Sequence, residues 1–199
     1  MTKSDDILEL AKKNDGYITT KEVREANINS TELTRLVKEN KLEKVSRGIY
    51  CTPNTFHDDY YKIQSKSNKA IYSHDSALYF HNLSDRIPIV LDITVPFGYN
   101  GSLRTLDNTQ LHYVKKDVFE LGQITIKSPF GMEIKIYDIE RTICDIIKSK
   151  NKNKIDIEIF VKALQKYSKS KNKDLNKLMR YAKKLNIEKK VREYMEVLL

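Results

Sequence analysis

The chain has 199 residues, enough for one ordinary domain or two small ones, with 36 Lys and Arg against 27 Asp and Glu and a net charge of +9. Its most apolar window, Ile87 to Phe97, is too short to cross a membrane and contains Asp92, and Met1 to Leu10 carries Asp5, Asp6 and Glu9 where a secretory signal needs cations and an apolar core. Membrane-spanning and secreted classes are thereby excluded, and a soluble, cytoplasmic protein is expected.

Ser4 to Asn14 places Ile7, Leu8 and Ala11 on one face of a first helix. Thr19-Thr20-Lys21-Glu22 is a capping box: the Thr19 hydroxyl can accept from the Glu22 amide while the Glu22 carboxylate reaches back to the Thr19 amide. The short helix that follows turns Val23 and Ala26 inward and ends at Asn27-Ile28-Asn29, where asparagine tolerates left-handed backbone angles. Asn29 or Ser30 caps the next helix, whose Leu33, Leu36 and Val37 fall on a buried stripe. Ser30, Thr31, Thr34, Arg35 and Lys38 are left facing out near its N-terminal half, the part that meets base edges in a major groove. After Asn40 the period changes to two: Leu42 to Val45, a turn at Ser46-Arg47-Gly48, and Ile49 to Thr52 before Pro53. That hairpin is a wing, and Lys44, Ser46 and Arg47 sit where it can touch phosphates. Residues 1–55 therefore read as a winged helix-turn-helix.

Residues 56–199 read as a second domain, with a sheet over about 70–137 and helices over about 138–199. Asp58 to Asn68, with Tyr60, Tyr61 and Ile63 and without Gly or Pro, reads as a packed connector, a strand or short helix, and not as a free linker. Ser73 caps a helix running to about Asn82, and His74-Asp75 is either an acid–base pair or, preferably, a capping and dipole-compensating pair. Ile89 to Val95, dense in β-branched residues, reads as a central strand, and Leu111 to Val114, Ile124 to Ile126 and Glu133 to Tyr137 as three more. Asp138 caps a helix with Ile139, Ile143, Ile146 and Ile147 inward. On it Arg141 and Asp145 pair at the surface, or Arg141 is buried and bridges elements. Asp156 to Tyr167, Asp174 to Leu185 and Glu188 to Leu198 are amphipathic helices. The fold class is α+β: a winged helix followed by a small mixed or antiparallel sheet and a helical tail.

Cys51 and Cys144 lie far apart in apolar patterns and read as reduced core thiols. His57, His74, His81 and His112 show no zinc spacing, so no metal, cofactor or catalytic residue is expected. Charge is uneven: residues 1–55 hold 10 basic against 9 acidic side chains, residues 56–145 hold 10 against 12, and residues 146–199 hold 16 against 6. The lysines Lys148, Lys150, Lys152 and Lys154, with a second run from Lys166 to Lys173, are either solvated loops or a nucleic-acid surface.

Gly16-Tyr17-Ile18-Thr19, Leu33, Leu36 and Arg47-Gly48-Ile49-Tyr50, followed by Tyr72 to Leu78, Asp92 to Pro96 and Tyr137 to Asp145, resemble in order the AbiEi-type antitoxins of bacterial type IV toxin–antitoxin and abortive-infection systems. The resemblance covers nearly the whole chain. It implies an antitoxin that represses its own operon through the winged helix, and whose C-terminal domain counteracts a nucleotidyltransferase-like toxin without a stable inhibitory complex. The expected partners are operator DNA with inverted repeats and a functionally linked toxin, with no membrane. No coiled-coil seam stands out, so a monomer that gathers in several copies on DNA is expected. The alternatives are a stand-alone winged-helix regulator with a ligand- or protein-binding second domain and, far less favoured, a metal-dependent nuclease built on Asp107, Glu133 and Lys135.

Overall fold

The computed structural model describes residues 2–55, 58–150 and 155–198. The chain divides into two compact units, Met1–Lys66 with Lys127–Glu133, and Ser67–Ile126 with Ile134–Leu199. The described residues are mixed α and β, with two small sheets and a helical C-terminal end.

In the first unit the order is α1 (Lys3–Lys13), β1 (Tyr17–Thr19), α2 (Thr20–Glu25), α3 (Thr31–Lys38), β2 (Glu43–Ser46), β3 (Ile49–Cys51) and α4 (Asp59–Gln64). Both predicted starts are built as their chemistry dictates. Thr19 Oγ1 accepts from the Glu22 amide at 3.2 Å, and Glu22 Oε2 accepts from the Thr19 amide at 2.7 Å. At α3 the capping side chain is Asn29, whose Oδ1 accepts from the Thr31 amide at 3.0 Å, while Ser30 makes no side-chain cap bond. The turn between α2 and α3 uses Asn27 at φ +57°. Ile7, Ala11, Ile18, Val23, Ile28, Leu33, Leu36 and Leu42 form the core of this unit. Ala26 is exposed, and Ile28 from the turn fills the place expected of it, because α2 ends one residue before Ala26.

Strand β1 was not expected. Its three residues pair antiparallel with β3, Tyr17 opposite Cys51 and Thr19 opposite Ile49, giving a sheet of order β1-β3-β2. Asp58, fully buried, closes the unit. Its amide donates to Tyr17 Oη at 2.8 Å, and its carboxylate accepts from the Tyr61 amide at 3.0 Å and from Ser128 Oγ. These bonds satisfy a carboxylate that burial would otherwise penalise.

In the second unit β4 (Ile71–Tyr72), α5 (His74–Phe80), β5 (Leu91–Pro96), β6 (Thr109–Val114), β7 (Gln123–Lys127) and β8 (Glu133–Tyr137) precede α6 (Ile139–Lys150), α7 (Ile157–Lys169), α8 (Leu175–Lys184) and α9 (Glu188–Leu198). The strand order is β6-β5-β4-β8-β7, and the sheet is mixed: β4 runs antiparallel to β5 and parallel to β8, and β5 runs parallel to β6. The central strand is therefore the two-residue β4. Ile89 and Val90, expected in the β5 strand, lie outside it and are exposed, Ile89 to 92%. Behind the sheet, Leu78, Ile143, Ile146, Ile147, Phe160, Leu164, Leu178 and Val191 belong to one core that joins α5 and the four C-terminal helices. The three tail helices follow their expected bounds to within two residues, because each carries a strong apolar stripe and the first two start at capping aspartates, Asp156 and Asp174.

Arg141 is not a surface group. It is fully buried, its Nε donates to both oxygens of Asp145 at 3.1 Å, and its Nη1 donates to the carbonyls of Val118 at 2.7 Å and Leu121 at 2.8 Å. Its guanidinium also lies 4.2 Å from the Tyr137 ring centroid. The surface-pair expectation is thus corrected: the same i, i+4 spacing carries a pair that ties α6 to the segment before β7. Asp138 Oδ1 accepts from the Arg141 amide at 2.8 Å and caps α6 as its sequence predicts.

Candidate nucleic-acid interface

The outward face of α3 is set by its buried one. Leu33 and Leu36 are completely enclosed, which turns Thr31, Thr34, Arg35 and Lys38 to solvent, with Ser30 half-buried at the start of the helix. Arg35 is tethered along its own helix: Nε donates to Glu39 Oε1 at 2.8 Å and Nη1 approaches Glu32 Oε2 at 3.5 Å. The hydrogen bond that Arg35 donates to Glu39 raises the Arg35 pKa further, and the same bond lowers that of Glu39. Such exposed pairs are weak, so a base edge or phosphate can displace the carboxylates at small cost.

In the hairpin, Lys44 and Arg47 are exposed, whereas Ser46 is half-buried with its Oγ 3.1 Å from Ser65 Oγ. The turn needs Gly48 at φ +79°, and its carbonyl accepts from the Thr20 amide at 2.8 Å, binding the hairpin to the start of α2. A register shift between Lys44 and Ser46 marks a bulge that adds twist to β2. Among the described candidates of this unit, Thr31, Thr34, Arg35 and Lys38 are gathered on one helix face, and Lys44 and Arg47 stand on the hairpin.

The C-terminal lysines are dispersed. Lys148 is exposed at the end of α6, but the Lys150 ammonium folds over Phe160 and Tyr194, 4.6 and 4.9 Å from the ring centroids. Lys152 and Lys154 lie outside the described residues. Lys166 lies within α7 and not in a connection, and donates to Asp85 at 2.7 Å. The nuclease trio is not assembled: Asp107 precedes β6 and Lys135 lies on β8, with β5 and β4 between them.

A polar cluster in the second unit went unread in the sequence. Ser73 makes no cap bond, because its hydroxyl is used sideways: it accepts from Thr94 Oγ1 at 2.8 Å and lies 3.0 Å from His74 Nδ1. His74 Nε2 is 2.9 Å from Ser149 Oγ, and the His74 ring stacks on that of His112 at 3.6 Å between centroids. His112 Nε2 is 2.5 Å from Asp92 Oδ1. Asp75 stands in the first turn of α5, but burial, and then the neighbouring Asp92, push its carboxyl up to about 6. Its Oδ1 is buried without a hydrogen-bond partner among the described residues. The capping reading of His74 is therefore corrected, since the ring is bound by two hydroxyls. Alternation placed Asp92, Thr94 and His112 on strands, but only the register of β5 beside β6, with Thr94 opposite His112, brings them beside α5.

Among the described residues, no helix is long and apolar enough to cross a membrane. Cys51 and Cys144 are both free and buried, and burial raises both thiol pKa values.

No curated protein matches the sequence. A crystal structure of the RV2827C protein from Mycobacterium tuberculosis is similar at a TM-score of 0.49 with 10% sequence identity, covering 97% of this chain and 80% of that one. Residues 5–53 match the model of a family described as "Transcriptional regulator, AbiEi antitoxin". The resemblance to AbiEi-type antitoxins is thus borne out over residues 5–53, which carry the signature of that family of transcriptional regulators.

Proposed function

We propose that the first unit is a winged helix-turn-helix that binds operator DNA, and that the chain is a transcriptional autorepressor and antitoxin of a type IV system. The observation that carries this reading is the outward face of α3, where Thr31, Thr34, Arg35 and Lys38 are exposed within the segment 5–53 that matches the antitoxin regulators. α3 enters the major groove, with Ser30 at its leading end. Arg35 exchanges Glu39 for a base edge, Lys38 follows, and Lys44, Ser46 and Arg47 on the hairpin meet phosphates. The division of residues 1–55 as the DNA-binding part and 56–199 as the antitoxin part belongs to the same proposal. So does a monomer that occupies inverted repeats in its own promoter, and an antitoxin that counteracts a nucleotidyltransferase-like toxin without a stable complex.

The test is binding of the full chain to its own promoter and to random duplex across a salt series. Selective binding to the promoter is expected. Equal, weak binding to both would remove the repressor reading. Co-expression with the neighbouring toxin gene tests the second half: growth should be restored while the two proteins elute separately.

A further inference from the structure

The second unit contains a cleft of about 260 Å³ walled by His74, His112, Tyr113, Asp145, Lys148 and Ser149. We propose that this cleft binds a phosphate monoester, held by the Lys148 ammonium and the Ser149 hydroxyl above the stacked imidazoles. The assignment does not depend on DNA binding by the first unit.

Four observations carry it. The first is cost: two imidazoles and three hydroxyls (Ser73, Thr94 and Ser149) are drawn from four elements and the residue before α5 into a place where aliphatic side chains would pack without desolvation. The second is order. The bonds from Thr94 to Ser73, Ser73 to His74 and His74 to Ser149 fix the ring, and His74 itself is held at φ +46°, a left-handed backbone that costs energy for a residue with a Cβ. The third is charge. Asp145, the carboxylate among the residues that line the cleft, is engaged through both oxygens by Arg141, which leaves the Lys148 ammonium as the charge on that lining without a compensating partner there. The fourth is size and shape. The volume is below that of most drug-sized pockets and suits a small anion with part of its parent molecule.

The experiment follows the imidazole proton NMR signals of His74 and His112 in the full chain, assigned with His74→Gln and His112→Gln. Inorganic phosphate, AMP or adenosine is added at constant ionic strength. Saturable shifts are expected with phosphate and with AMP but not with adenosine. Tighter binding of AMP than of phosphate supports the site and makes a nucleotide end its ligand; equal binding supports it with free phosphate as the ligand. Combining Lys148→Ala with Ser149→Ala should weaken binding at least about tenfold, and Lys183→Ala, at an exposed lysine on α8, should leave it unchanged. Shifts that never saturate, an equal response to adenosine, or equal losses in the double variant and Lys183→Ala would each overturn the proposal.

Discussion

Arg35 and Lys44 have different consequences because one can face base edges and the other phosphates. Arg35→Ala should cost about 1–3 kcal/mol of operator discrimination if it reads a guanine, whereas Lys44→Ala should weaken operator and random DNA alike. Competition binding on the two duplexes checks both, and an equal loss for Arg35→Ala would remove it from base readout. In the second unit, Asp75 makes stability depend on pH. Its folded pKa, about 6, lies above the ordinary value of 3.8 that it has in the unfolded chain, so the native state holds more protons between these values and stability falls as pH rises through that window. Asp75→Asn should flatten this dependence and raise stability at pH 7 by about 1–2 kcal/mol, after discounting for its partial exposure; urea unfolding at pH 4.5 and pH 7 measures it. Arg141→Leu should destabilise by about 3–5 kcal/mol, because Asp145 would stay buried without its cation and two carbonyls would lose their donor. No loss in chemical denaturation would show that the pair is dispensable.

Elements succeed or fail here according to how local their causes are. The turn of the β2–β3 hairpin depends on one backbone angle: Gly48 is at φ +79°, while an added Cβ would meet Thr20 Oγ1 at an ordinary 3.4 Å. Strain alone should then make Gly48→Ala cost about 1–2 kcal/mol, read by thermal unfolding. A cost near zero would mean that the turn can be rebuilt. Capped helices were legible because the capping residues and the apolar stripe are neighbours in sequence. β1 and β4 were not, since three and two residues contain no period to read, and each exists through its partner strands. Ile89 and Val90 misled for the opposite reason: β-branching describes what fits a strand, and tertiary position placed these two outside it at the surface.

At the scale of the whole molecule, charge and chain path matter more than any one contact. The two hairpin cations that face phosphates, Lys44 and Arg47, would give a slope of log affinity against log salt of about −2 if they alone met the backbone. A markedly steeper slope for the full chain would bring lysines of the last third onto DNA. The structure tempers that expectation, because Lys150, Lys166 and Lys177 are already bound to aromatic rings, carbonyls or carboxylates. The first unit also draws on residues far along the chain: Ser128 completes the shell of Asp58, and the unit includes Lys127–Glu133. A fragment cut at residue 55 lacks both partners.

The sequence by itself determined most of the helices, with the caps at Thr19 and Asp138, the hairpin turn at Gly48, the amphipathic tail and the outward face of α3, because each follows from side chains within a few residues of one another. It also carried the family resemblance over residues 5–53. Tertiary structure alone decided the mixed order of the sheet, the burial of Arg141 and the gathering of His74, His112, Asp92 and Ser149. The reason is physical: sequence spacing gives the face on which a residue lies, whereas the neighbour across that face is chosen by packing and strand register.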